Sequence, residues 1–143
     1  MYFSHFPFRT LLIRSARLLS EKINLALQEF DLTYSQWIVM HVIHDAEKCS
    51  LIDIAKVLNI SQPAVTKRIF ELEQKGFVQF IPTTDRREKI VALNEAGLDV
   101  YLKGHDFLDA FEQRYCDGIS DENFEQLKTS LRIFMNNLED ERT

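Results

Sequence analysis

A chain of 143 residues has room for about one domain, which excludes most multi-domain enzyme folds. Hydrophobic residues at 45% and charged residues at 27%, with only four Gly and three Pro, describe a helix-rich globular protein and exclude a disordered or collagen-like one. The net charge of −5 argues against a nucleic-acid partner only until the charges are located: residues 50–93 carry seven basic groups against five acidic, while residues 94–143 carry five against twelve.

Apolar residues at Phe8, Leu11, Leu12, Leu19, Ile23, Leu27 and Phe30 recur at helical spacing and predict a long amphipathic first helix. Asp31-Leu32-Thr33 breaks the pattern and offers Thr33 as an N-cap. The run Trp37 to Ile43 then has so few polar positions that the second helix should be largely buried. Ser50, with Asp53 three residues on, predicts a capping-box-like start to a short helix whose apolar positions are Leu51, Ile54, Ala55 and Leu58. After Asn59-Ile60, Ser61 is a second N-cap and Pro63 falls in the first turn, where its missing N–H costs nothing. The helix so begun spans 62–75, with Val65, Ile69 and Leu72 as its buried stripe and Gly76 placed for a left-handed cap.

Two helices joined by a tight turn, the second basic on its outer face, form a helix-turn-helix. Residues 77–81 and 89–93 are β-branched and aromatic runs separated by Pro82-Thr83-Thr84-Asp85-Arg86-Arg87-Glu88, which predicts a β-hairpin with a basic tip. The expected fold is therefore mainly α with a small β-hairpin wing, a winged helix-turn-helix. Asn94 should cap a further helix to about Cys116, with Leu98, Tyr101, Leu108, Phe111 and Tyr115 on its apolar face. Ser120 should cap a last one with the seam Phe124, Leu127, Leu131, Phe134 and Leu138. The N- and C-terminal helices carry more apolar surface than one winged-helix core of about 60 residues can cover, so they are expected to pair between two copies.

Taken together and in order, Leu32-Thr33-Tyr34-Ser35-Gln36-Trp37, Leu51-Ile52-Asp53-Ile54-Ala55, Ile60-Ser61-Gln62-Pro63-Ala64-Val65-Thr66, Leu72-Glu73-Gln74-Lys75-Gly76-Phe77-Val78 and Asp85-Arg86-Arg87 followed by Leu93-Asn94-Glu95-Ala96-Gly97 resemble the MarR family of bacterial transcription regulators over nearly the whole chain. The resemblance implies a single domain over 1–143, with a DNA-binding core at 33–93 and dimerisation helices at 1–31 and 94–143. It also implies a homodimer on a pseudo-palindromic double-stranded operator, often released by a small ligand. Asp85 and Arg87 match the Asp-x-Arg of the family's wing, in which the acid braces the loop and an arginine, Arg86 or Arg87, enters the minor groove. On the recognition helix the outward positions are Ser61, Gln62, Ala64, Thr66, Lys67 and Arg68. Gln suits an adenine edge, Arg and Lys a guanine or a phosphate, and the Thr methyl a thymine methyl. Phe70 and Glu71 depart from the basic and acidic pairing of many relatives.

In the family the effector cavity lies between the second helix and the dimerisation helices. Trp37, His41 and His44 are thus the candidate ligand residues for a small aromatic or anionic effector, with Asp45 one turn after His41. The bland alternative is a core tryptophan beside partly exposed histidines. His41, His44 and Asp45 lack a fourth local ligand, so no metal is expected, and no cofactor is implied. Some relatives sense oxidants with a cysteine near the N-terminus, but residues 1–48 contain none; Cys49 and Cys116 leave a thiol-based redox regulator as one alternative. A dimeric interaction protein without DNA binding is another, separable by a salt-dependent gel shift with random DNA. No nucleotide-loop, nucleophile-elbow or zinc-protease motif points to an enzyme. No apolar run approaches the roughly 20 residues of a membrane span and Met1 to Pro7 lack a leader pattern, so a cytoplasmic protein with no membrane partner is expected.

Overall fold

The computed structural model describes residues 5–85 and 87–140. Its elements in chain order are α1 (Phe8–Leu27), a 3-10 turn (Gln28–Phe30), α2 (Tyr34–Ala46), β1 (Cys49–Ser50), α3 (Leu51–Leu58), α4 (Gln62–Gln74), β2 (Val78–Ile81), β3 (Ile90–Leu93), α5 (Glu95–Tyr115) and α6 (Asp121–Asp140). The chain forms two compact units, residues 1–108 and 109–143, and the division falls within α5. In the first, α2, α3, α4 and a three-stranded antiparallel sheet make a winged helix around Val39, Met40, Ile43, Ile54, Val65, Ile69, Leu72 and Val91, all essentially inaccessible to water.

The first helix is shorter than its apolar period suggests. At Leu27 it tightens into the 3-10 turn, which ends after Phe30 where the N–H of Leu32 turns back to the Leu27 carbonyl (3.2 Å) and Asp31 adopts a left-handed conformation, φ 55°. The same device ends two more helices. After α3, Ile60 N–H bonds Ala55 O (3.1 Å) with Asn59 at φ 55°; after α4, Phe77 N–H bonds Leu72 O (3.0 Å) with Gly76 at φ 79°. Asp and Asn tolerate this region better than most residues because their short polar side chains bond locally, and Gly meets no Cβ penalty.

The N-caps hold as expected at Thr33, Ser50 and Ser61, but the reciprocal box is at the first of them. Thr33 Oγ1 accepts from Gln36 N–H (3.2 Å) while Gln36 Oε1 accepts from Thr33 N–H (3.2 Å). At Ser50 the side chain accepts from Asp53 N–H (3.0 Å), a single bond and not a box.

The wing pairs Val78 with Leu93, Phe80 with Val91 and Ile81 with Ile90. The sheet has a third strand beyond the hairpin: Cys49 and Ser50 pair with Val91 and Ile90 on the other edge of β3, so the strand order is β1-β3-β2. Two residues have no periodicity to read, and this strand exists only because β3 offers it an edge. On α5, Tyr101 is buried and Leu108 half-buried as expected, whereas Leu98 and Tyr115 are exposed.

In the second unit, Ser120 Oγ accepts from Asn123 N–H (3.2 Å) and opens α6, on which no residue is fully buried. Leu127, Ile133, Met135 and Leu138 of that helix are exposed, as are Leu11, Ile13, Leu18, Leu19 and Leu25 of α1 in the first unit. Among the described residues no helix is long and apolar enough to cross a membrane.

Candidate nucleic-acid interface

The recognition helix is positioned from three sides. Val65, Ile69 and Leu72 seat α4 in the core; the Asn59 turn fixes its angle to α3; and a polar cluster ties its C-terminal half to the start of α2. In that cluster Gln36, only 5% exposed, donates from Nε2 to Glu71 Oε2 (2.6 Å) and accepts at Oε1 from Lys75 Nζ (3.1 Å). Lys75 also reaches the carbonyl of Asp31 and lies 3.6 Å from its carboxylate. Glu71 thus faces the protein, its charge half-buried and engaged, and does not stand on the outward face of α4.

Of the expected base readers, Ser61, Gln62, Thr66 and Lys67 are exposed, while Ala64 and Arg68 are half-buried on the flank of the outward face. Ser61 also serves as the N-cap, accepting from Ala64 N–H (3.3 Å). The middle of the outward face belongs to Phe70, 60% exposed, which borders an open apolar depression with Gln62, Pro63, Thr66 and Lys67. In the sequence Phe70 stands out only as a departure from relatives, yet its position one turn after Thr66 puts it on the same face.

At the wing tip, Asp85 Oδ1 accepts from the N–H of Arg87 (2.9 Å), its carbonyl accepts from Glu88 N–H (3.2 Å), and Thr83 Oγ1 donates to Asp85 O (2.7 Å). The carboxylate therefore folds the loop back on itself and leaves the Arg87 side chain in solvent. Arg86 lies outside the described residues. Lys89 sits 5.9 Å above the Phe80 ring, keeping a second cation on the wing. Replacing Arg87 by Ala should weaken DNA binding by about 1–3 kcal/mol and leave the melting temperature nearly unchanged, because the residue's backbone, not its side chain, holds the loop. Titrating a DNA fragment against Arg87→Ala and Arg86→Ala checks this; unchanged affinity in both removes the wing from DNA recognition.

Trp37, His41 and His44 come together as expected and are joined by two residues from α5 that no local spacing reveals. Trp37 stacks on His41 (5.5 Å), Tyr101 (5.3 Å) and His105 (6.4 Å), and His44 stacks on Tyr101 at 4.5 Å. His41 Nδ1 and the Tyr101 hydroxyl are hydrogen-bonded at 2.6 Å, and Asp45 lies within 3.5 Å of both histidines. Among the described residues, Trp37 Nε1 is buried without a hydrogen-bond partner, and His44 Nδ1, also buried, has only the Asp45 carboxylate near it, at 3.5 Å. An open pocket of about 460 Å³ is lined by His44, Asp45, Glu47, Leu93 and Leu98. Among the described residues no group of three or more His, Cys, Asp or Glu is arranged to hold a metal.

Of the two thiols, Cys49 is buried in β1, and burial, with Asp53 nearby, pushes its pKa up. A thiol held in its protonated form is a poor reductant for peroxides, since the thiolate is the reactive species.

The MarR family model matches residues 32–89, which run from just before α2 through the wing loop and stop short of β3. The chain is 32% identical over 122 residues to an uncharacterised HTH-type transcriptional regulator, YwoH, of Bacillus subtilis, covering 85% of this chain and 89% of that protein. Its fold is similar to that of a cysteine-to-serine variant of E. coli MarR complexed with operator DNA (TM-score 0.82, 22% identity, 90% of this chain and 94% of that one). It is also similar to an S. aureus MepR–DNA complex (TM-score 0.81, 23% identity, 94% and 99%).

Proposed function

Because the chain belongs to the MarR family of DNA-binding transcription regulators, we propose that it is a repressor working as a homodimer on a pseudo-palindromic operator and released by a small aromatic or anionic effector. The observation that carries this reading is the pairing of an exposed Gln62, Thr66 and Lys67 on α4 with a braced, basic wing in a chain that is otherwise acidic. Charge so divided favours phosphate at residues 50–93 and disfavours it at the acidic residues 94–143.

In this reading residues 33–93 are the DNA-binding core and residues 1–31 and 94–143 the dimerisation helices of a single domain working in the cytoplasm. Gln62, Thr66, Lys67 and Ser61 meet base edges or phosphates, Ala64 and Arg68 line the flank, and Arg86 or Arg87 enters the minor groove. The effector lies against Trp37, His41 and His44. A flat ring extends the existing stack, and an anionic group meets the imidazoles. No catalytic step is assigned.

The dimer is supported by the uncovered apolar residues of α1 and α6, since patches of that kind are rare on soluble monomers. Two recognition helices related by a twofold axis would fall about one DNA turn apart and require an inverted repeat with half-sites centred roughly 10 bp apart. Leu131, half-buried on α6, is the place to break it. Leu131→Asp should give monomers or aggregates by light scattering and lose most operator affinity, because each half-site then binds alone. An unsubstituted protein that is monomeric at micromolar concentration yet binds DNA fully would contradict the dimer.

A further inference from the structure

The recognition helix has an aromatic ring where a polar reader would be expected. Phe70 is 60% exposed, although an exposed phenyl group on an isolated helix face gains nothing from water. It stands one turn beyond Thr66 and three residues beyond Lys67, and the depression beside it is lined by Gln62, Pro63, Thr66 and Lys67. The face is therefore mixed: one cation, one amide, and a continuous apolar strip made by the Pro63 ring, the Thr66 methyl and the Phe70 ring.

Two neighbours that might have covered the ring are turned elsewhere. Glu71 is held by Gln36, and Lys75 by Gln36 and Asp31. Phe70 thus remains on the outward face together with Lys67, whose charge suits a polyanion and not an apolar protein surface. In the major groove the apolar group a base edge offers is the C5-methyl of thymine, and Phe is among the side chains that meet it. The helix rises about 6 Å from Thr66 to Phe70, close to two base steps of about 3.4 Å, so the two side chains can address different base pairs of one half-site.

We propose that Phe70 is a specificity-determining residue that reads thymine methyl groups in each operator half-site. The proposal rests on α4 lying in the major groove. It accounts for an aromatic residue in a position where Arg or Lys would select guanine, and it predicts a half-site rich in A·T pairs at the base steps next to those that Thr66 reaches.

The experiment uses a DNA fragment retained by the purified full-length protein from a genomic pool. Thymines in it are replaced one at a time by deoxyuracil, which removes the methyl group and keeps the pairing. The unsubstituted protein should lose about fourfold in affinity at one or two positions per half-site, the effect of one buried methyl. Phe70→Ala should bind more weakly throughout and show no further loss at those positions, while Phe70→Leu retains part of the sensitivity. Equal losses in the unsubstituted protein and in Phe70→Ala, or no loss in either, overturn the proposal while leaving DNA binding intact. A Phe70→Ala variant that changes the oligomeric state but binds both DNAs as before also overturns it and assigns the ring to a protein contact. If Gln62→Ala, Lys67→Ala and Phe70→Ala all bind as the unsubstituted protein does, α4 is not in the groove, and the reading beneath the proposal fails with it.

Discussion

Gly97→Ala is expected to destabilise the protein by about 3 kcal/mol, even though alanine is the better helix former by about 1 kcal/mol. Gly97 is buried in the first turn of α5, and a Cβ there would stand 2.9 Å from the carbonyl carbon of Phe77 and nearer still to its oxygen. Those are backbone atoms of the link between α4 and β2, which no rotamer change can move. Asn94 makes the approach rigid: its N–H donates to Phe77 O (3.1 Å), its Nδ2 to Gly76 O (2.7 Å), and its Oδ1 accepts from Gly97 N–H (2.8 Å). The start of α5 is thereby stitched to the end of the recognition helix, and the substitution must push the two apart. Thermal unfolding should show a midpoint lower by roughly 10 °C. A midpoint at or above that of the unsubstituted protein would mean that helix propensity outweighs the contact.

The second large effect is expected at Gln36. One side chain completes the capping box of α2, binds the Glu71 carboxylate and takes a hydrogen bond from Lys75. Gln36→Leu keeps much of the volume but leaves a half-buried carboxylate without its amide donor and the Thr33 N–H without its acceptor. A hydrogen bond to a charged group is worth about 1.5–3 kcal/mol and a lost cap about 1 kcal/mol, so the loss should be about 2–4 kcal/mol. Urea unfolding measures it. A double-mutant cycle with Glu71→Gln should return a coupling of at least about 1 kcal/mol, because the second change removes the charge that the first leaves stranded. Strict additivity would place the two residues in separate interactions.

Much of the fold was legible in the chain itself, for reasons visible at single residues. Thr33, Ser50 and Ser61 cap helices because each side-chain oxygen satisfies an N–H three residues on. Gly76 ends α4 because it meets no penalty at positive φ. The stripe Val65, Ile69 and Leu72 settles which face of α4 turns inward. The wing loop was legible too, since Asp85 bonds an N–H two residues ahead. All of these signals act within one helical turn or one hairpin, where neighbours in sequence are neighbours in space.

What the tertiary structure alone decided involves partners far apart in sequence. Strand β1 is two residues with no pattern of their own, and it forms because β3 presents free backbone donors and acceptors. Glu71 is drawn inward by Gln36, 35 residues away, and this leaves Phe70 as the centre of the outward face. Tyr101 and His105 complete the stack on Trp37 across more than 60 residues. Periodicity places a residue on a face of its own helix, but which group waits opposite depends on how helices pack. The sequence by itself therefore determined the helices, their caps and the wing hairpin, whereas packing decided the third strand and which side chains of the recognition helix stay exposed.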